Sequence, residues 1–147
     1  IYNSSILGFV AMSYRGAYNA SKFAIEGLAD TLRLELYKSG VEVVLIEPGP
    51  IRSDFRKNAL AKFLEHIDQE HSAHSKVYAK TLARLQKSGD APFTLGSEAV
   101  LEVLIRAIEA QNPKARYGVT FPTKLFAWLK RFLSTRLLDT IARKASE

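Results

Sequence analysis

Apolar residues recur at two distinct spacings in the first third of the chain. Between residues 17 and 38 they recur at helical spacing, at Phe23, Leu28, Leu32 and Leu36, with Ala20, Ala24 and Ala29 between them. This period predicts a helix with one apolar face, and Ser39-Gly40 predicts its end, because glycine readily adopts the left-handed conformation of a C-terminal cap. Residues 41–46 are nearly all apolar and mostly β-branched, which predicts a strand buried on both faces of a parallel sheet.

Residues 1–5 have the pattern of a strand that ends before a loop containing glycine. A strand, a long helix and a second strand form a βαβ unit, in which the strands lie parallel and the connection is right-handed. The turn Pro48-Gly49-Pro50 follows the second strand directly. It therefore lies at the carboxyl end of that strand, where ligands bind in open α/β sheets.

The rest of the chain predicts three more helical regions and one more strand. The helical regions are 55–87, with a polar break at 72–75, then 97–111 and 123–145, and the strand is 116–121. Ser97 is the expected N-cap of the middle region, with Glu98 in its first turn. That region is expected to end by Gln111, because Asn112 precedes a proline and is displaced from helical geometry.

The composition excludes several kinds of site, and the charge distribution locates the basic part of the chain. The 147 residues suffice for one domain with a hydrophobic core, and the absence of cysteine excludes disulfides and thiolate chemistry. The sequence contains no run of eighteen apolar residues, so it predicts no membrane-spanning helix. Residues 113–147 contain eight Lys or Arg and two Asp or Glu, which accounts for the whole net charge of +6. The basic character therefore belongs to the C-terminal segment and not to residues 1–112.

A phenol and an ammonium group lie one helical turn apart near the start of the first predicted helix. Tyr18 and Lys22 are four residues apart, so their side chains share a face of the helix. A nearby ammonium favours the ionised form of a phenol, which makes such a tyrosine a better proton donor and acceptor near neutral pH. Ser5 lies at the end of the preceding strand, where its hydroxyl could hold a substrate oxygen beside the phenol. Ser4 is the alternative, but the glycine three residues after Ser5 favours Ser5, and we expect Ser4 to hydrogen-bond the backbone.

Three short motifs together resemble the active-site region of the short-chain dehydrogenase/reductase family. They are Ser5-Ile6-Leu7-Gly8, Tyr18-Asn19-Ala20-Ser21-Lys22 and Pro48-Gly49-Pro50-Ile51-Arg52-Ser53. The family's turn usually ends in threonine, and serine takes that place here. A tyrosine and a lysine four residues apart are a weak signal alone, but the three motifs at these distances are specific. The resemblance covers residues 1 to about 120.

The resemblance implies a role for each motif. Tyr18 would exchange a proton with the oxygen of a carbonyl or alcohol substrate, Ser5 would hydrogen-bond that oxygen, and Lys22 would bind the nicotinamide ribose. The implied cofactor-binding residues are Tyr18, Lys22, Pro48, Gly49, Ile51 and Ser53. The implied reaction is reversible hydride transfer between NAD(P) and a carbonyl or secondary alcohol, and no metal ligand is implied.

The implied fold class is α/β, as the C-terminal part of a Rossmann-like doubly wound parallel sheet with three strands in this chain. Residues 1–120 would be the C-terminal half of the NAD(P)-binding catalytic domain, with 54–95 as a substrate lid and 121–147 as a basic amphipathic tail. The family's glycine-rich dinucleotide loop and its cofactor-selecting residues lie upstream of the serine and are not among these residues. We therefore expect the chain alone to be inactive, and NADP is favoured only slightly over NAD.

Partners and location follow as expectations. We expect a small-molecule carbonyl or alcohol substrate, of apolar character by analogy alone, and a homo-oligomer for the full-length protein. Nucleic acid is not expected, because the basic segment lacks a base-reading element. A cytoplasmic location is expected, with peripheral membrane contact through residues 123–145 as an open possibility. The acidic and histidine residues between 65 and 74 do not have the spacing of a known metal motif, and a solvated helix face accounts for them.

The C-terminal segment supports a second hypothesis. Its large apolar residues fall on one helical face, and they are Leu125, Phe126, Trp128, Leu129, Phe132 and Leu133. Basic residues flank that face, as is typical of a helix that lies on a membrane surface. Packing of the same stripe on the domain or on a partner subunit is the simpler reading. The competing function is a truncated, catalytically inactive chain that acts as a membrane-surface or partner-binding module.

Overall fold

The structure of the chain is a computed structural model that describes residues 1–87 and 89–146. Two compact units can be distinguished, one made of Ile1–Ile51 with the segment from Phe93 onward, and one made of Arg52–Pro92. The second unit falls close to the predicted lid at 54–95, whose role stays a prediction.

The first unit contains a three-stranded parallel sheet. Its strands are β1 (Tyr2–Asn3), β2 (Leu45–Glu47) and β3 (Arg116–Gly118), in the order β1-β2-β3. Helix α1 (Gly16–Glu35) connects β1 to β2, which confirms the predicted βαβ unit with parallel strands. The other helices are α4 (Glu98–Glu109), α5 (Phe121–Phe132) and α6 (Thr135–Ser146) in this unit, and α2 (Phe55–His66) and α3 (Ser75–Gln86) in the second.

Strand β2 is buried on both faces, as its sequence predicts. Val43 and Leu45 pack against the α1 side, in a cluster centred on Ala29. Val44 and Ile46 pack against Val103 and the rest of the α4 side. The alternation of side chains along the strand thus supplies one core cluster to each layer of helices.

The predicted element ends were wrong in several places. The strand predicted at 41–46 is Leu45–Glu47, because its ladder partners start only at Tyr2 on one side and at Arg116 on the other. The strand predicted at 116–121 ends at Gly118, because Thr120 precedes the first turn of α5 and Pro122 fits a helix start.

Helices α1 and α4 also end earlier in the sequence than predicted. Helix α1 stops at Glu35, short of the predicted residue 38, and Lys38 and Gly40 in the turn after it have φ angles of 63° and 83°. Helix α4 stops at Glu109. Ser97 stands at the predicted N-cap, but its side chain makes no capping hydrogen bond.

Helices α5 and α6 pack on the segment that follows β1. Phe126 and Ala142 are both 7% exposed and share a core cluster with Ile6, Leu7 and Val10. Tyr18, Leu138 and Ile141 pack against the same cluster. The C-terminal helices therefore support the segment that carries the candidate site residues.

Candidate active site

Ser5 lies immediately beyond β1 and begins a short 3-10 helix, Ile6–Gly8. Its hydroxyl oxygen accepts a hydrogen bond from the Leu7 N–H at 3.1 Å, and the residue is 9% exposed. The Ile6 N–H donates to the Pro48 carbonyl at 2.8 Å. This bond joins the serine segment to the Pro-Gly turn at the carboxyl ends of two neighbouring strands, which is the arrangement that the sequence predicts.

Tyr18 and Lys22 occupy the first turns of α1. The Lys22 Nζ donates to the Asn3 carbonyl at 3.0 Å and lies 5.8 Å from the centroid of the Tyr18 ring. Tyr18 is half-buried against the apolar cluster that includes Leu7. The phenol and the ammonium therefore share one face of α1, and the ammonium is fixed to the end of β1.

Asn19 lies next to Tyr18 on α1, and the sequence did not single it out. It is 7% exposed, and its Nδ2 donates to the Met12 carbonyl at 3.1 Å. The bond anchors the loop between the 3-10 helix and α1, in which Tyr14 adopts a φ of 59°. The feature of the sequence that could have identified Asn19 is a polar residue directly after Tyr18, on the face of α1 that turns toward this loop.

The Pro-Gly turn follows β2 and is held by backbone bonds. The Pro50 carbonyl accepts from the Leu95 N–H at 3.2 Å, and Ile51 forms a parallel bridge with Leu95. A Cβ on Gly49 would overlap the Oγ1 atoms of Thr120 and Thr123. Both threonines are completely buried, so the packing of the fold alone requires glycine at this position.

The remaining predicted cofactor residue, Ser53, belongs to the second compact unit. Its Oγ accepts a hydrogen bond from the Phe55 N–H at 3.4 Å, at the start of α2. In the same unit, backbone hydrogen bonding from His71 lowers the pKa of Asp68. Among residues 1–87 and 89–146, no group of three or more His, Asp or Glu side chains is arranged to hold a metal ion.

The sequence also did not predict an ion network that lies beside the sheet. The Arg116 guanidinium on β3 pairs with Glu26 of α1, with Asp30 at 2.7 Å and with Glu47 of β2 at 2.9 Å. The side chains of Glu26 and Glu47 are only 8% and 5% exposed, whereas that of Arg116 is 37% exposed. One cation therefore joins α1 to two strands of the sheet.

The pKa values of this network reflect both burial and pairing. Burial raises the pKa of Glu47, and the hydrogen bond from Arg116 offsets only part of that effect. For Arg116 burial acts to lower the pKa, but the hydrogen bond to Glu47 and the charge of Glu26 outweigh it, so the pKa is raised. The pKa of Asp30 is lowered overall, because its bonds to Arg33 and Arg116 exceed the cost of its burial.

Two buried polar atoms lie next to Gly8. Ser4 Oγ and Glu26 Oε1 have no hydrogen-bond partner among the described residues, which corrects the expectation that the Ser4 side chain bonds the backbone. A Cβ on Gly8 would lie 2.5 Å from the first atom and 2.9 Å from the second. Gly8 is therefore required because both side chains converge on it. The backbone hydrogen bond of Ser4 is made by its N–H, which donates to the Ile46 carbonyl.

Comparison with known proteins agrees with the motifs. A model of the family described as short chain dehydrogenase matches residues 1–63. Oxidoreductase YbbO of Escherichia coli is 39% identical over 141 residues, which is 96% of this chain and 46% of that protein. The probable short-chain type dehydrogenase/reductase VdlC of Helicobacter pylori is 36% identical over 146 residues, covering 97% and 51%.

A third relative has a more specific name. The NADPH-dependent 3-dehydrocapnine reductase of Ornithobacterium rhinotracheale is 36% identical over 143 residues, which is 96% of this chain and 48% of that protein. The chain thus spans about half the length of the curated relatives it matches.

Proposed function

Because the chain belongs to the short-chain dehydrogenase/reductase family, we propose that it carries the catalytic residues of an NAD(P)-dependent oxidoreductase. The observation that carries the proposal is the pairing of Tyr18 and Lys22 on one face of α1, with the ammonium 5.8 Å from the ring and bound to the end of β1. Bound NAD(P) would supply the hydride acceptor or donor. The residues of this chain would orient the substrate and move the proton.

Ser5 is suited to donate a hydrogen bond. A serine hydroxyl has one proton and two lone pairs, and in Ser5 one lone pair already accepts from the Leu7 N–H. The hydroxyl proton can therefore be directed to the oxygen of a carbonyl or alcohol substrate. We assign Ser5 to holding that oxygen and Tyr18 to giving it a proton in reduction, or taking one in oxidation.

Lys22 fits the part of a nicotinamide cofactor that carries hydroxyl groups. An ammonium group has three N–H donors, and the Asn3 carbonyl accepts from one of them. The others can bind ribose hydroxyls while the charge stays beside the phenol. The turn at Pro48, Gly49 and Ile51 lies at the neighbouring strand end, where the nicotinamide ring would pack.

The name of one relative bears on the choice between NAD and NADP. One relative is named as NADPH-dependent, which supports trying NADP first. We propose NADP as the first cofactor to assay and a keto compound as the first substrate class, because that relative is also named as the reductase of a dehydro compound.

Replacing Lys22 with methionine tests the cofactor assignment. In the chain extended through its upstream reading frame, we expect the dissociation constant for NADPH to rise about tenfold or more, because hydrogen bonds from a charged group are lost. Fluorescence titration of NADPH measures this. The matched control is Lys38→Met beyond the far end of α1, which should leave the dissociation constant unchanged. Equal constants for the native chain and Lys22→Met would contradict the assignment of Lys22.

A further inference from the structure

The outward face of α5 carries a continuous apolar stripe. Its residues are spaced four, three and four apart, as Phe121, Leu125, Trp128 and Phe132, so they line up on one side of the helix. Their exposed fractions are 59%, 39%, 59% and 66%. Large apolar side chains that are exposed singly need no explanation, but a contiguous row marks an interaction surface.

Aromatic contacts extend this stripe beyond the helix. The rings of Trp128 and Phe132 have centroids 4.9 Å apart, and that of Phe121 lies 5.4 Å from the ring of Phe93. Phe93 is itself 60% exposed. We call these five residues, Phe93, Phe121, Leu125, Trp128 and Phe132, the aromatic surface.

Packing on the domain is already provided by a second face of α5. Phe126 is 7% exposed within the core cluster of Ile6 and Leu7, and Leu129 and Leu133 are half-buried. The six apolar residues that the sequence placed on one face are therefore divided between two faces. The inward face stabilises the domain, and the aromatic surface is left for a partner.

The charge around the aromatic surface indicates the kind of partner. Lys124 and Arg131 lie on α5 beside the stripe and are exposed. The segment that contains α5, residues 113–147, carries a formal net charge of +6 while the rest of the chain is neutral, and of its basic residues Arg116 is paired with carboxylates of α1 and β2. Tryptophan and phenylalanine beside basic residues are typical of helices that lie at a lipid–water interface and favour anionic lipids.

We propose that the aromatic surface of α5 seats the protein on a membrane that contains anionic lipids. No helix within the described parts of the chain is long and apolar enough to cross a bilayer, so the contact is a peripheral one, with α5 lying along the surface. Each basic residue near an anionic surface strengthens such binding about fivefold.

A second copy of this chain fits the aromatic surface less well. A symmetric dimer places the same patch on both sides of the interface. It would bring two segments of charge +6 together, and like charges at close range oppose association. Anionic headgroups instead neutralise this charge, which is why the lipid surface is the occupant to which the charge pattern points.

Trp128 is the single tryptophan of the chain, so its fluorescence reports directly on the proposed contact. We expect its emission to shift to shorter wavelength when the chain meets vesicles of phosphatidylcholine with phosphatidylglycerol, and to stay unchanged with phosphatidylcholine alone. No shift with anionic vesicles overturns the proposal. A shift that depends on protein concentration without lipid identifies self-association, and it overturns the proposal as well.

Vesicle co-sedimentation of variants then tests the residues. We expect Phe132→Ala to weaken binding about tenfold and Lys124→Gln with Arg131→Gln to weaken it about fivefold per residue. The control is Leu101→Ala with Ile105→Ala on α4, where a similarly exposed apolar row lies among glutamates. If this control weakens binding as much as Phe132→Ala, binding is not specific to the aromatic surface and the proposal fails.

Discussion

Tyr18→Phe is expected to reduce the turnover number of the upstream-extended chain about a thousandfold, which lies within the usual contribution of a general acid or base. The substitution removes one hydroxyl and keeps the ring that packs against the core cluster containing Leu7 and Val10. The dissociation constant for NADPH should change little, because Lys22 and its bond to Asn3 remain. Consumption of NADPH with a ketone substrate, followed by absorbance, measures the loss.

The matched control is Tyr37→Phe, at an exposed tyrosine just beyond the end of α1. It removes the same hydroxyl from the same residue type and should leave the turnover number unchanged. If Tyr18→Phe and Tyr37→Phe behave alike, Tyr18 does not exchange the proton. A parallel loss of cofactor binding in Tyr18→Phe would instead indicate that the Tyr18 hydroxyl contributes to cofactor binding or to the fold.

Arg116→Met is expected to lower the free energy of unfolding by about 3 kcal/mol, because it leaves Glu26 and Glu47 buried without their cation. The value lies at the low end for a buried pair, since the Arg116 side chain is 37% exposed and solvent screens part of its charge. Urea denaturation followed by circular dichroism measures the change. Turnover should fall with stability, because Arg116 ties α1 to the sheet.

Arg33→Met provides the comparison for this network. Arg33 pairs with Asp30 on the same helix at 2.6 Å, and both side chains are more than a third exposed. Pairs of this kind contribute about 1 kcal/mol or less. A loss in Arg116→Met no larger than in Arg33→Met would contradict the view that Arg116 compensates the two buried glutamates.

The helices and the βαβ unit could be predicted because hydrophobic periodicity is a local property. The 3.6-residue period located α1, and the continuous apolar run located β2 with both faces buried. The strand ends could not be predicted in the same way. They depend on where the neighbouring strands start, and β2 has ladder partners only from Leu45 onward.

In the candidate site, too, the local features could be predicted from the sequence and the long-range ones could not. Ser5, Tyr18 and Lys22 could be proposed as site residues because they stand at short, fixed distances in the sequence. The Arg116 network was missed because its bonds join residues 90 and 69 positions apart, to Glu26 and Glu47. Nothing in one sequence pairs such distant charges, whereas the parallel sheet brings them together.

The C-terminal segment shows a third situation. Its periodicity predicted helices, and α5 and α6 are present. The pattern did not show that Phe126 would be buried while Trp128 and Phe132 stay exposed, because a broad apolar face has no inherent direction. The fold determines which part of that face is buried, since the side of α5 that carries Phe126 packs in the cluster with Ile6 and Leu7.

The most direct test of the central claim is the transfer of deuterium from nicotinamide-deuterated NADPH, and in parallel NADH, to a panel of ketones by the upstream-extended chain. Mass spectrometry of the alcohol products reads the result. Deuterium on the carbinol carbon with the native chain, and its near absence with Tyr18→Phe, is the result expected for an oxidoreductase that uses Tyr18. No deuterated alcohol from either cofactor, or equal deuterium from the native chain and Tyr18→Phe, would contradict that account.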